Sequence, residues 1–212
     1  MRLAIIKPST LRRQLGPLRH AFEISRDEWG YQIHGNPFAG VRLPSSGPGR
    51  ARRLQMSEWK RLSESLGRLR NPQVHAVVVI ALETAMRRSE ILRASWGQID
   101  LERGYWIVPQ SKTGKARTIP LTEKVQEILK KQALRFQGDE VFAMSAEGFA
   151  SAWKRSVAKA GIEDLTFHDL RHEAISRLFE KGLTAAQVAS ISGHHDTRML
   201  ARYTHIEVKE LL

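Results

Sequence analysis

Three glycines divide the C-terminal third of the chain into short helical segments. Gly161, Gly182 and Gly193 each follow a stretch whose apolar residues recur every three to four positions, which is the spacing of one helix face. Glycine is favoured directly after a helix because it adopts the left-handed conformation that closes the last turn. The segments predicted to be helical here are 122–136, 145–160, 168–181 and 184–192, followed by a short helix from about Asp196 that carries Tyr203.

A different pattern lies between Trp96 and Leu121. The segments YWIVPQ and ARTIPL alternate and are rich in β-branched side chains, with SKTGK between them. Alternation of this kind is typical of strands, and the intervening residues suit a turn. The sequence therefore predicts a mainly α-helical protein that contains a small antiparallel β-sheet.

The N-terminal half is also predicted to be helical, with one interruption. Residues 9–31, 57–69 and 71–85 have helical apolar spacing. Between the first two of these segments lies GNPFAGVRLPSSGPGRARR, whose Gly, Pro, Ser and Arg content is typical of a linker.

The charge of the chain is strongly positive and unevenly distributed. The net charge is +12, and residues 1–53 contain ten Lys and Arg against three Asp and Glu. Such an excess favours a polyanionic partner, most simply nucleic acid, although a solvated basic surface would give the same composition. The linker arginines that can follow a DNA backbone are Arg42, Arg50, Arg52 and Arg53.

Composition excludes several kinds of site. The chain has no cysteine, so disulfides, thiolate metal sites and cysteine nucleophiles are excluded. No apolar run approaches the length of a membrane span, and the first ten residues become polar too early for a secretory signal. We therefore expect a soluble, cytoplasmic protein.

Five side chains in separated blocks have the chemistry to bind and attack one phosphodiester: Arg87, His168, Arg171, His194 and Tyr203. Two guanidiniums can neutralise a phosphate in its transition state. Imidazoles can transfer protons near neutral pH, and a phenol can act as a covalent nucleophile. If the arginines carry the charge, the reaction requires no metal ion.

In order and spacing, the R..E, HDLRH and SGH…Y blocks resemble those of the tyrosine recombinase (phage integrase) family over about residues 55–207. The resemblance implies an integrase-like catalytic domain of the DNA breaking–rejoining enzymes at 56–212. It further implies that 1–38 is the remnant of a DNA-clamping core-binding domain and that 39–55 is a basic linker. Ala85 stands where the family usually has glycine, so we expect a slightly crowded turn and a small loss of activity.

The resemblance assigns a role to each of these five residues. Arg87 and Arg171 bind the non-bridging oxygens of the scissile phosphate. Tyr203 is the nucleophile, and His168 is its general base or proton-relay partner. His194 donates a hydrogen bond to a phosphate oxygen.

The resemblance also gives roles to neighbouring residues. Lys112, in the predicted turn, is the general acid that protonates the leaving 5′ oxygen, and Lys115 is its rival. Glu90 orients its neighbours, and His172 packs or hydrogen-bonds within the site. We expect Lys115 and Arg117 to contact DNA.

The implied reaction is site-specific recombination of double-stranded DNA by a homotetramer. A 3′-phosphotyrosyl intermediate conserves the bond energy, so no ATP, metal or other cofactor is expected, and the protein would act at the nucleoid of a cell that hosts a mobile element. The spacing of His168 and His172 would also suit zinc, but the sequence has no third ligand at zinc spacing, and no metal site is predicted.

Three alternatives remain open on the sequence alone. The segment TAAQVASISGHHDTRMLARY also fits a helix-turn-helix regulator without catalysis. A catalytically impaired recombinase fragment would keep the same motifs. A type IB topoisomerase shares the chemistry and ranks third.

Overall fold

The computed structural model describes residues 6–45, 50, 52–110, 116–136 and 138–203. The chain divides into two compact units, Met1–Ala51 and Arg52–Leu212. This boundary precedes the predicted end of the linker because Leu54 is buried in the core of the second unit and Arg53 forms ion pairs within that unit.

The first unit contains helix α1, Pro8–Asp27, which includes Pro17 and buries none of its residues. We predicted that this helix would continue to residue 31, but it ends four residues earlier and is followed by Gly30 with a φ of 69°. The segment after it folds back on the helix, and the rings of Phe22 and Phe38 lie 5.6 Å apart.

The second unit contains the remaining helices, and those predicted above lie close to their predicted bounds. They are α2 Met56–Gly67, α3 Gln73–Thr84, α4 Arg88–Leu92, α5 Glu123–Arg135, α6 Ala146–Lys159, α7 Phe167–Glu180 and α8 Ala185–Ser192, with 3-10 turns at Trp96–Gln98 and Thr197–Tyr203. The hydroxyl groups of Thr122, Ser145 and Thr184 cap α5, α6 and α8 by accepting backbone N–H groups of the first turn. Local capping chemistry therefore sets where these helices begin.

Helix α3 is the centre of the main core. It contacts α2, α4, α5, α6 and α7, and Val77, Val78 and Ile80 are fully buried. A helix that is enclosed on several sides is apolar around most of its circumference, which explains the uninterrupted run VVVIAL. The turn that follows α3 begins with the buried residues Ala85 and Met86, and Arg87 comes directly after them.

The predicted antiparallel sheet is present. Strands β1 Ile99–Asp100, β2 Tyr105–Val108 and β3 Arg117–Pro120 are ordered β1-β2-β3, and Val108 pairs with Arg117. Strand β1 was not predicted, because two residues are too few to show an alternation of apolar and polar side chains. The prediction of a mainly helical fold with a small antiparallel sheet is confirmed.

A smaller core packs the C-terminal elements together. Ala174 and Ile175 of α7, Val188 of α8 and Leu200 of the last 3-10 turn are buried against Ala85. Tyr203 packs on the edge of this cluster. The cluster thus brings the end of α3, the middle of α7 and the end of the described chain to one place.

Candidate active site

The turn that bears Arg87 has an unusual backbone. Ala85 ends α3 in the left-handed conformation, with a φ of 54°, and its side chain is fully buried. A left-handed residue with a Cβ is strained by about 1–2 kcal/mol, so glycine would adopt this conformation at lower cost. The side-chain oxygen of Thr84 steadies this turn by accepting the N–H of Met86 at 3.3 Å. Arg87 then occupies the N-cap position of α4.

Glu90 holds two arginines. One carboxylate oxygen accepts the backbone N–H of Arg87 at 2.7 Å, and the other accepts its guanidinium at 3.0 Å. The same carboxylate accepts both terminal nitrogens of Arg117, at 3.0 and 2.7 Å. Burial alone would raise the pKa of Glu90, but the hydrogen bonds from Arg117 and Arg87 outweigh it and lower the pKa. The carboxylate is therefore ionised and fixed, consistent with an orienting role.

Helix α7 presents His168 and Arg171 from its first turns. Asp169, fully buried, accepts the N–H and the hydroxyl of Thr166 at 2.7 and 2.8 Å. This capping box fixes the start of the helix. Arg171 is only 4% exposed and donates to the carbonyl oxygens of Ala85 and, at 2.6 Å, Ser192.

Arg87, His168 and Arg171 line one cavity of about 420 Å³. Burial first, and the nearby Arg87 second, lower the pKa of Arg171 to about 10, so its guanidinium remains charged at neutral pH. Burial and the charge of Arg171 also lower the pKa of His168. The cavity thus presents two fixed cations and a neutral imidazole, an arrangement suited to an anion such as a phosphodiester.

The imidazole that meets the Tyr203 hydroxyl is that of His172. Its Nδ1 is hydrogen-bonded to the phenol oxygen, and the two rings stack with centroids 5.7 Å apart. His168, predicted as the base, instead meets the edge of His172 at 4.9 Å. Burial raises the pKa of Tyr203, whereas burial and the neighbouring His168 lower the pKa of His172 to about 4. His172 is therefore neutral at pH 7 and is the imidazole within hydrogen-bonding distance of the Tyr203 phenol, although its lowered pKa makes it a weaker base than an ordinary histidine.

His194 follows Gly193, which ends α8 with a φ of 74° as the sequence predicted. The His194 Nδ1 lies 2.7 Å from the Ser192 hydroxyl. Burial and then Arg171 lower the pKa of His194 to about 4. The imidazole is therefore neutral at pH 7 and is held by a neighbour in the same turn.

We expect acidification to lower the free energy of unfolding. An unfolded histidine titrates near a pKa of about 6.5, whereas folding lowers the pKa of His172 and His194 to about 4. Between these values the unfolded chain binds protons that the folded chain does not, so stability present above about pH 6.5 is lost as the pH falls toward about 4. In urea unfolding across this range, the double variant His172→Gln, His194→Asn should show a weaker pH dependence than wild type. An exposed control, His20→Gln, should keep the wild-type slope, and an unchanged slope in the double variant would contradict the prediction.

The residues predicted to contact DNA occupy different settings. Arg42 and Arg50 are exposed in the first unit. Arg52 forms a bidentate ion pair with Glu58, and Arg53 pairs with two glutamates of α7. Lys112 and Lys115 lie outside the described residues.

Arg117, also predicted as a DNA contact, is largely buried. Its side chain is 8% exposed and paired with Glu90. The strand pattern contained a signal of this position, because alternation places Arg117 on the same face as Ile119, which is fully buried. The sequence contains no comparable signal for the contact between His172 and Tyr203. It shows only that His172 lies on the same face of α7 as His168.

Two further features concern function. Among the residues that the structure describes, no group of three or more His, Asp and Glu side chains could hold a metal ion. In that same part of the chain, no helix has the length and apolar character needed to cross a bilayer.

The helix-turn-helix interpretation is not supported, because the segment after Gly193 forms a seven-residue 3-10 turn rather than a recognition α-helix.

The profile of the phage integrase family matches residues 52–210, which include the complete cluster around Arg87, Arg171 and Tyr203. The chain belongs to the phage integrase family. Among its relatives in this family, the shufflon-specific DNA recombinase of Escherichia coli is 42% identical over 100% of this chain and 57% of its own length. A putative integrase/recombinase of Haemophilus influenzae is 32% identical over 100% of this chain and 72% of its own length. The chain thus spans little more than half of the first of these relatives.

Solved integrase structures have the same fold. The Tn1549 transposon integrase in complex with circular intermediate DNA superposes with a TM-score of 0.82 at 19% identity, over 100% of this chain and 79% of that one. A lambda integrase dimer bound to a COC′ core site gives a TM-score of 0.73 at 24% identity, over 88% and 56% of the two chains. The integrase-like fold predicted from the motifs is therefore confirmed.

Proposed function

We propose that this chain carries the catalytic unit of a site-specific DNA recombinase that cuts and rejoins double-stranded DNA through a 3′-phosphotyrosyl intermediate. The main supporting observation is that Arg87, His168 and Arg171 line one cavity. Tyr203 is hydrogen-bonded to His172 at the same end of α7. The names of its relatives, a shufflon-specific recombinase and a putative integrase/recombinase, support the same class of reaction.

In the proposed first step, the Tyr203 oxygen attacks phosphorus and the bond to the 5′ oxygen breaks. The phenol proton passes to a neutral imidazole, for which His172 has the contact, and Lys112 protonates the leaving oxygen. Arg87 and Arg171 neutralise the non-bridging oxygens as charge accumulates on the phosphate, and His194 donates a hydrogen bond to one of them.

The second step reverses the first with a different nucleophile. The 5′ hydroxyl of a partner strand attacks the phosphotyrosine, releases Tyr203 and joins the two strands. The number of phosphodiester bonds is unchanged over both steps, so the reaction needs no nucleotide, metal ion or redox partner.

We extend the proposal to the binding partner and the assembly. Residues 1–38 would belong to a DNA-clamping domain, and 39–55 to a linker whose exposed Arg42 and Arg50 contact the DNA backbone. The active species would be a homotetramer on two duplexes at the bacterial nucleoid, because a cut strand must find its partner within one complex.

The test is an SDS-stable adduct on nicked suicide duplexes from DNA that flanks the gene. We expect wild-type protein to form a covalent complex, because a nick near the cut lets the short 5′-hydroxyl strand diffuse away. Peptide mass spectrometry of the digested adduct should place the nucleotide on the peptide that contains Tyr203. DNA binding without any adduct on these duplexes would contradict the proposal and favour a regulator. Relaxation of supercoiled plasmid without strand exchange would favour a topoisomerase.

A further inference from the structure

Arg117 donates to two separate elements from within the second unit. Its Nε donates to the carbonyl of Ile191 at 2.9 Å, and its terminal nitrogens donate to the Glu90 carboxylate at 3.0 and 2.7 Å. The side chain is 8% exposed, and that of Glu90 is 13% exposed. A guanidinium engaged in this way has little donor surface left for a DNA phosphate.

On one side, this hydrogen bonding reaches the turn of Arg87. Glu90 accepts both the backbone N–H and the guanidinium of Arg87. Arg117 neutralises the charge of Glu90 and donates a hydrogen bond to each of its carboxylate oxygens. Arg117 therefore fixes the Glu90 rotamer that accepts the hydrogen bonds of Arg87. Without Arg117, the Glu90 carboxylate could turn toward Arg87 alone and draw that guanidinium away from the cavity.

On the other side, Arg117 reaches the end of α8. Carbonyls at a helix C-terminus lack partners and form the negative end of the helix dipole, and Arg117 satisfies that of Ile191 while Arg171 satisfies that of Ser192. The turn packs closely against the guanidinium, since a Cβ added at Gly193 would fall 3.0 Å from the Arg117 Cζ. The next residue after this turn is His194.

The fork of the guanidinium is necessary for this arrangement. Arginine presents five N–H donors in a rigid plane, which lets one side chain serve a carboxylate and a carbonyl in different directions. Lysine keeps the charge but has a single nitrogen, so it cannot span Glu90 and Ile191 in the same geometry. A conservative change to lysine therefore separates positioning from charge.

We propose that Arg117 is a positioning residue that keeps Arg87 and His194 oriented toward the scissile phosphate, and that it does not itself bind DNA. The inference deepens the recombinase function proposed above and rests on it for its kinetic part. It replaces the role of DNA contact that the sequence suggested for this residue.

The first test compares Arg117→Lys with wild type on a nicked duplex, with adduct formation and noncovalent binding measured separately. We expect the single-turnover rate at saturating DNA to fall by on the order of 10–100-fold, since small misplacements of catalytic groups have effects of this size. The Kd and its salt dependence should stay at the wild-type values. In Arg117→Gln, which removes the charge, a weaker Kd with a salt slope reduced by about one, and an unchanged rate at saturation, would identify a phosphate contact and overturn the proposal.

A second substrate identifies the group through which Arg117 acts. Replacing the bridging 5′ oxygen by sulfur creates a leaving group that departs without a proton. The Arg117→Lys defect should persist on this substrate, because Arg87 and His194 act on the non-bridging oxygens. Recovery of the wild-type rate would instead show that Arg117 acts through the leaving-group acid, and would overturn the proposal.

A third readout does not depend on cutting. In protein without DNA, side-chain NMR signals of Arg87 and His194 should shift in Arg117→Lys. If the lysine variant fails to fold, Glu90→Gln serves in its place, because it preserves the shape of the glutamate, and the same signals should shift. The control Arg103→Lys, on an exposed arginine of the β1–β2 turn, should leave them unchanged. Unshifted signals overturn the positioning role, whereas shifted signals with no adduct from wild type contradict only the proposed function.

Discussion

Replacing Tyr203 with phenylalanine is expected to abolish the SDS-stable protein–DNA adduct. The change removes one oxygen, the proposed nucleophile, and keeps the ring that stacks on His172 and packs against the smaller core. Noncovalent DNA binding should stay within about twofold of wild type, because contacts between basic side chains and phosphates supply most of that affinity. The measurement is gel detection of the adduct on nicked duplexes beside a binding titration at the same salt concentration.

The matched control for this variant is Tyr105→Phe. Tyr105 is the first residue of β2 and, like Tyr203, is only partly buried. This variant should form the adduct at the wild-type rate. An adduct that persists in Tyr203→Phe, or that is lost in Tyr105→Phe, would remove Tyr203 from the role of nucleophile.

The Arg171→Ala variant is expected to slow adduct formation by on the order of 10²-fold or more, since loss of one preorganised donor to the transition-state oxyanion has this effect. The variant should also be less stable. Arg171 satisfies the carbonyls of Ala85 and Ser192 in the interior, and each buried carbonyl left without a donor destabilises by about 1–3 kcal/mol. The two effects are measured by single-turnover adduct formation and by urea unfolding.

Arg177→Ala is the control for this prediction, because Arg177 lies farther along the same helix and pairs with Glu173 at 2.8 Å. Glu173 keeps a second partner in Arg53, so we expect only a small loss of stability and an unchanged rate of cleavage. A fall of less than about threefold in the rate of Arg171→Ala would exclude Arg171 from transition-state stabilisation.

Local chemistry made much of the second unit predictable. Helix starts at Thr122, Ser145 and Thr184 depend on caps that act within three residues, and Gly193 marks a helix end by its own backbone preference. The two longer strands were visible for the same reason, since alternation is a property of adjacent residues. Helix α1 was overextended because propensity alone does not determine where an unburied helix ends.

Motif spacing identified the candidate catalytic residues, because the residue types suit phosphoryl transfer and their order follows the phage integrase family. Spacing could not show which imidazole meets Tyr203. His168 and His172 lie on one face of α7, and the choice between them depends on how the last 3-10 turn packs against that helix.

The sequence by itself therefore determined most of the helices, the two longer strands, the family and the set of side chains suited to the chemistry. The tertiary structure alone decided their partners. Arg117 reaches a carbonyl 74 residues away in the chain, and Arg171 reaches one 86 residues away. Such pairs follow from the packing of α3, α7, α8 and β3 around a common core, and no pattern among neighbouring residues encodes them.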